Sequence, residues 1–412
     1  MASTRLGYLA IIKEATVATA LKPTHFLRFK DWDISLKQEI IENNPIQNNR
    51  WNAITAVPGK ITTEWTYNVD LDANESVHFL YWAMWAISSA DVWSTAAQVY
   101  RHTLTLANTL PSFSIEQAKG NLSDATNNLQ NYQVDRAYWA MVDKIALSWS
   151  DWIINMEVWM KSHWVFQRSL LVATATAGAS VAVALESVEW LAALDTVNIY
   201  DNTPANETDA VVSISTTNKT ITIATLWTTY TVAKLAKAEL VPQTPSYSIA
   251  PKVLSFINAS FQFGADLTAA ASAAEENIEN WTFEYMNNLE ERFWSLRASP
   301  SVIAPKWAGA TLKYTKYFES VIDRDRYLAQ TRKAGILTIR NNEVIWAGDT
   351  NLYKYTVQIE MSDLRFTSYE MPTWTDELYA INIEASCFYD SSDARAVRML
   401  ITNSQVWTTY TA

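Results

Sequence analysis

Strict period-two alternation constrains this chain more than any other feature. From Ile61 to Leu71 the odd positions are Ile61, Thr63, Trp65, Tyr67, Val69 and Leu71, and the even ones are Thr62, Glu64, Thr66, Asn68 and Asp70. Side chains alternate faces along a strand, so this segment has one apolar and one polar face. The pattern returns at Tyr353, Tyr355, Val357 and Ile359 against Lys354, Thr356, Gln358 and Glu360, and again at Tyr379, Ile381 and Ile383. Further strand candidates are Ile145–Leu147, Ile154–Met160, Ala259–Phe263 and Leu312–Tyr317. These predict antiparallel sheet with one packed face. Helical spacing is confined to Glu75–Ile87, Asp323–Leu337 and the Ala-rich Leu267–Glu279. The expected class is therefore mainly β with a few helices (α+β).

Three regions follow from composition. Residues 172–243 are rich in Ala, Thr and Val, poor in Lys and Arg, and closed by Pro242 and Pro245. They read as a small β module, with strands at Val211–Ile214 and Thr220–Ile223, inserted between flanks at residues 1–171 and 244–412. In each flank the order strand, strand, helix, strand pair recurs, which predicts two similar halves.

Composition excludes several classes. In 412 residues the hydrophobic fraction is 49% and the charged fraction 18%, which is not the composition of a disordered chain. No apolar run approaches the ~20 residues of a membrane helix, and Met1–Arg5 lacks the layout of a signal peptide. A net charge of −11 without a basic patch is unsuited to sequence-specific nucleic-acid binding. The lone Cys387 has no disulfide partner within the chain, as expected of folding in a reducing compartment.

Chemistry-bearing motifs are missing. His25, His78, His102 and His163 show no HxxxH or HExxH spacing, so no zinc-peptidase site is expected. Cys387 falls on the apolar face of an alternating strand, the place of a small core residue. Asp70–Asn74 begins like a calcium loop, but Glu75 stands where that loop needs Gly and Tyr81 where it needs Glu. Asp323–Arg326 reads as the charged first turn of a helix. The expectation is no catalytic, cofactor-binding or metal residue, and no enzyme.

Several segments, taken in order, resemble the major tail tube proteins of long-tailed bacteriophages. They are Gly7–Thr16, Pro23-Thr24, Glu39–Asn44, Pro58–Thr62 leading into the alternating strand, Leu110–Glu116, Arg136–Lys144, and in the second flank Asn288–Glu290 with the long final strands. The resemblance covers both flanks. It implies β-sandwich or barrel halves, each with a flanking helix, and a structural protein of the virion tail made in the bacterial cytoplasm. Such subunits assemble into stacked rings around a channel through which DNA passes without sequence-specific contact. Two halves per subunit imply a trimer with pseudo-sixfold symmetry; a single half would imply a hexamer. Its other implied partners are the tape measure and the tail terminator and tip proteins, with no membrane. The polar faces bearing Glu64 and Asp70, or Gln358 and Glu360, are the expected lumen lining, and the inserted module is expected outside. The competing readings are a carbohydrate-binding β-sandwich with surface Trp platforms, and another tail completion or decoration protein.

One number is out of place. The chain has 8 Gly and 19 Trp, whereas about 7% Gly, roughly 29 residues at this length, is ordinary. The two counts together come close to that figure. Several Trp occupy turn-like sequence: Ser150-Asp151-Trp152, Lys306–Gly309 and Pro372–Asp376. Turns favour Gly. The expectation is that many of these codons are UGA, which some bacteria read as glycine.

Overall fold

A computed structural model describes residues 7–43, 55–91, 99–120, 132–150, 152–166, 168–202, 206–247, 249–295, 299–318, 321–346, 352–371, 380–406 and 408–411. The Pro372–Asp376 segment lies outside the described residues.

The first flank holds β1 (Tyr8–Lys13), β2 (His25–Leu27), β3 (Asp31–Asn43), β4 (Thr55–Asp70), α1 (Val77–Met84), β5 (Trp85–Asp91), β6 (Tyr100–Leu106), β7 (Phe113–Gly120), β8 (Tyr132–Ser150), β9 (Ile153–Ser162) and β10 (Trp164–Phe166). The middle holds β11 (Arg168–Leu170), β12 (Gly178–Ala184), β13 (Thr196–Tyr200), β14 (Asn206–Ser215), β15 (Thr220–Leu226) and β16 (Lys237–Leu240). The second flank holds β17 (Ala259–Gly264), α2 (Leu267–Ala271), β18 (Glu275–Glu276), β19 (Ile278–Met286), β20 (Leu289–Arg292), β21 (Val302–Pro305), β22 (Gly309–Tyr317), α3 (Ile322–Ala329), β23 (Lys333–Val344), β24 (Lys354–Glu370), β25 (Ala380–Phe388), β26 (Val397–Asn403) and α4 (Thr408–Thr411). The protein is mainly β, its sheets are antiparallel, and its helices are few and short.

Three sequence expectations are corrected. The helix expected over Glu75–Ile87 spans only Val77–Met84; Trp85 is left-handed with φ 65°, and Ile87 pairs with Leu104 of β6. The helix expected over Asp323–Leu337 stops at Gln330, which is left-handed with φ 49°. Beyond it, Ile336, Leu337, Thr338 and Ile339 pair with β24, where their bulky side chains suit a pleated surface. The Ala-rich helix keeps only Leu267–Ala271, capped by Asp266 accepting from Ala269 N at 2.7 Å.

Strand order repeats between the flanks. In the first, pairing runs β1–β7–β8–β9–β4–β3, with β10 also on β8. In the second it runs β17–β23–β24–β25–β22–β19, with β26 also on β24. A helix follows the equivalent strand each time, α1 after β4 and α3 after β22. The irregularities repeat as well. β8 steps out of register with β7 between Phe113 and Ile115 and with β9 between Val142 and Lys144. β24 does so with β23 between Lys333 and Gly335 and with β25 between Phe366 and Ser368. Bulges are local, specified features, so two in the same places fix a residue-by-residue correspondence. Ala137 matches Met361, Lys144 matches Ser368, and Trp32 opposite Tyr67 matches Trp281 opposite Tyr314.

One apolar core lies beneath both halves. It is filled by the odd-numbered face of β4 (Trp65, Tyr67, Val69) and by α1, with Met156 and Val158 of β9, Phe283 of β19, Ile359 of β24 and Ile383 of β25. The module is a separate six-stranded sheet, β11-β16-β13-β14-β15-β12. Its core, around Trp190, Val197 and Ile223, also takes in Tyr8, Ala10, Tyr132 and Val134 of the first flank. The module is therefore docked on β1 and β8.

Candidate assembly surface

The two halves meet in one place on the sheet. β19 pairs with β8, with Met286 opposite Lys144, Glu284 opposite Ala146 and Thr282 opposite Ser148. This joins eight strands into one wall, β3-β4-β9-β8-β19-β22-β25-β24. Alternation gives the wall two chemistries. One face is the core. The other carries Glu64, Thr66, Asn68 and Asp70 from β4, Asn155, Glu157 and Lys161 from β9, Thr282 and Glu284 from β19, Lys313 and Thr315 from β22, and Asn382 and Glu384 from β25.

Charges on this polar face are largely matched across strands. Lys37 meets Glu64 at 2.7 Å, Lys144 meets Glu284 at 2.9 Å, and Lys313 meets Glu384 at 3.4 Å. Lys30 pairs with Asp70. Lys144 also sits 4.5 Å above the Trp159 ring. Glu157 has its carboxyl pushed up, first by partial burial and then by Asp31 and Glu284, against the opposing pull of Lys144. A face whose cations are already paired offers little to phosphate.

The lining residues expected from sequence separate into two places. Glu64 and Asp70 lie on the wall. Gln358 and Glu360 lie on the stretch of β24 that pairs with β23 and β26, in a groove shared with Arg101, Arg340 and Thr402. There Glu360 is buried, accepting from Arg398 Nε at 2.7 Å with Arg395 nearby.

The wall ends on unpaired edges. Among the described residues β3 pairs only with β4, and β24 beyond Leu364 pairs only with β25. The β3–β4 hairpin also projects past the core. Leu36, Ile40, Ile41 and Val57 on it are each more than half exposed. Long apolar edges of this kind are templates for a further strand.

Other polar groups are structural in their surroundings. Arg136 is 1% exposed and bonds Glu116 of β7 and Asp195 of the module, while Tyr8 donates to Glu116. Burial pushes the Asp195 carboxyl up, and Arg136 opposes it. Burial and Glu116 push the Tyr8 phenol far above its ordinary value. Sequence reading missed the Glu116–Arg136–Asp195 cluster because its members are spread over three elements; Arg136 follows Asp135 in β8, a local charge pair that points to no partner on another element. His78 is fully buried and held neutral by desolvation, with His25 at 4.1 Å between ring centroids and Tyr410 at 4.8 Å. Among the described residues no group of three or more His, Cys, Asp or Glu is placed to hold a metal ion, and no helix is long and apolar enough to cross a membrane. No protein-family model matches the chain, and no curated protein matches it closely enough to count as a relative.

Proposed function

We propose that this chain is a structural subunit of a phage-type tail tube, which polymerises through its sheet edges and presents the polar wall to a DNA channel. The observation that carries the reading is the repeat. Inside the chain, the β3-equivalent of the second half (β19) adds to the β8 of the first. The two strands left with open edges, β3 and the end of β24, are the counterparts of those two. A contact made once within a subunit and available once between subunits is head-to-tail, and repetition of it closes a ring or winds a helix. Three copies forming a closed ring contain six like junctions, three within chains and three between them. The wall, with Glu64 and Asp70, becomes a continuous barrel with its matched polar face inward. The module, docked on β1 and β8 away from the wall's free edges, sits outside.

Electron microscopy of the purified protein over rising concentration tests this. Rings or tubes with a central channel are expected. A chain that stays monomeric at every concentration, or a tube with Glu64 and Asp70 on its outer surface, overturns it. The carbohydrate-binding alternative draws on exposed indoles at Trp152, Trp227, Trp294 and Trp307. These belong to four separate connections, after β8, β15, β20 and β21.

A further inference from the structure

We infer that β3 of one copy pairs with the end of β24 of the next in a defined register: Lys37 opposite Ser368, Leu36 opposite Tyr369, and Ser35 opposite Glu370. This rests on the tube-subunit reading and names the interface it requires. The register comes from carrying the internal junction across the repeat. Met286, Tyr285 and Glu284 lie opposite Lys144, Ile145 and Ala146. The matched bulges equate those β8 residues with Ser368, Tyr369 and Glu370. The cross-strand ladders equate Trp281 with Trp32, and therefore Glu284, Tyr285 and Met286 with Ser35, Leu36 and Lys37. Burial agrees with what is missing. Tyr285 is 3% exposed while its counterpart Leu36 is 53% exposed, and Leu147 is fully buried while its counterpart Met371 is 40% exposed. The partner strand covers Tyr285 and Leu147 at the internal junction and is absent at the open edges that carry Leu36 and Met371.

Directly opposed residues in antiparallel strands have Cα atoms about 4.5–5.5 Å apart, within disulfide reach. In a Cys387→Ser background, Leu36→Cys with Tyr369→Cys should give oxidised oligomers in most chains on non-reducing gels. Leu36→Cys with Met371→Cys, two residues out of register, should give few. Rings or tubes seen by microscopy without the first cross-link overturn the register and leave the tube reading standing. Absence of both rings and cross-links overturns the two together.

A separate observation carries a second proposal: Trp85, Trp139 and Trp152 are glycine in the protein made by its natural host, through UGA codons read as glycine. Twelve non-glycine residues among those described have positive φ, and three of them are Trp: Trp85 at 65°, Trp139 at 54° and Trp152 at 71°. Bulky side chains are outliers there. Each site is one where glycine is the favoured residue. Trp85 is the left-handed C-cap of α1. Trp139 lies at the β7–β8 bulge. Trp152 is a turn residue just before Ile153, which pairs with Ser150 of β8; it follows an Asp in the sequence, and Asp-Gly is a preferred pair in hairpin turns. Among the described residues the Nε1 atom of Trp139 finds no hydrogen-bond partner.

Reading the codons and the peptide masses of the protein from its natural particle tests this directly. UGA codons and glycine masses at positions 85, 139 and 152 are expected; UGG codons or tryptophan masses overturn it. Recombinant chains give a second readout. The triple variant Trp85→Gly, Trp139→Gly, Trp152→Gly should melt at least about 3 °C above the tryptophan chain, and the triple Ala variant, which keeps the left-handed strain, should fall short of it. Ala variants equal to or above the Gly variants count against the backbone argument.

Discussion

The residue at one position of the repeated frame shows how far the two halves have diverged. Arg136 on β8 and Glu360 on β24 correspond, since Ala137 matches Met361 across the same bulge. In the first half a buried cation is gripped by two carboxylates, Glu116 and Asp195. In the second a buried anion is gripped by two guanidiniums, Arg395 and Arg398. The sign of charge is inverted while the strand geometry is kept. What the frame requires there is a compensated ion, because the cost of burial is set by whether the charge is paired. The helices diverge in the same way. Every residue of α1 is buried beneath its neighbours, whereas α3 buries only Asp323 and leaves Ile322 and Leu328 exposed.

Removing each central charge in turn separates the two sites most strongly. Arg136→Met leaves Glu116 and Asp195 buried without their cation. It should cost about 3–5 kcal/mol in chemical denaturation, the scale for breaking a buried pair. Glu360→Gln should cost clearly less, because Arg395 and Arg398 keep about a quarter of their side-chain surface in water and can resolvate. Equal losses would mean that the two sites are not different in kind.

The helices give the next contrast. Phe79→Ala on α1 empties a fully packed site and should cost about 3–5 kcal/mol. Leu328→Ala on α3 should stay within about 0.5 kcal/mol in the monomer. A Leu328→Ala variant that loses stability only in assembled particles would place α3 in a contact between copies.

Much of this frame was legible from the sequence, and the rest was not for physical reasons. Alternation over Ile61–Leu71 gave β4 and its wet face directly, since nothing in that segment competes with strand pairing. The helix start near Asp323 was legible too. Its end was not, because Arg332 and Lys333 continue a helix-compatible pattern and only pairing with β24 decides against it. The flank order was visible, but the matched bulges were not, since a bulge is a relation between two strands. The wall was half legible: Glu64 and Asp70 were found on it, but the β8–β19 junction joins segments far apart in the chain. Alternation placed Gln358 and Glu360 on a polar face without revealing that Arg398, on the neighbouring strand, covers Glu360.

A smaller effect probes where the halves are tied together. Asp72, just after β4, accepts from Asn74 N and Glu75 N at 2.7 Å each and from Lys252 N of the second flank, and it bridges to Val253. These bonds favour the carboxylate, but burial outweighs them, and Glu75 adds to it. The carboxyl is raised from 3.8 to about 6. A folded-state value above the unfolded one means the native chain holds this proton more tightly. The resulting stabilisation is complete below the ordinary value and is lost as pH rises through about 6. Asp72→Asn cannot ionise, so it should show a constant offset at low pH and a relative gain in melting temperature as pH climbs from about 4 to about 7. Parallel melting curves for the two chains across that range would mean that Asp72 titrates normally, and that its contacts with Lys252 hold the halves together without the penalty of a buried charge.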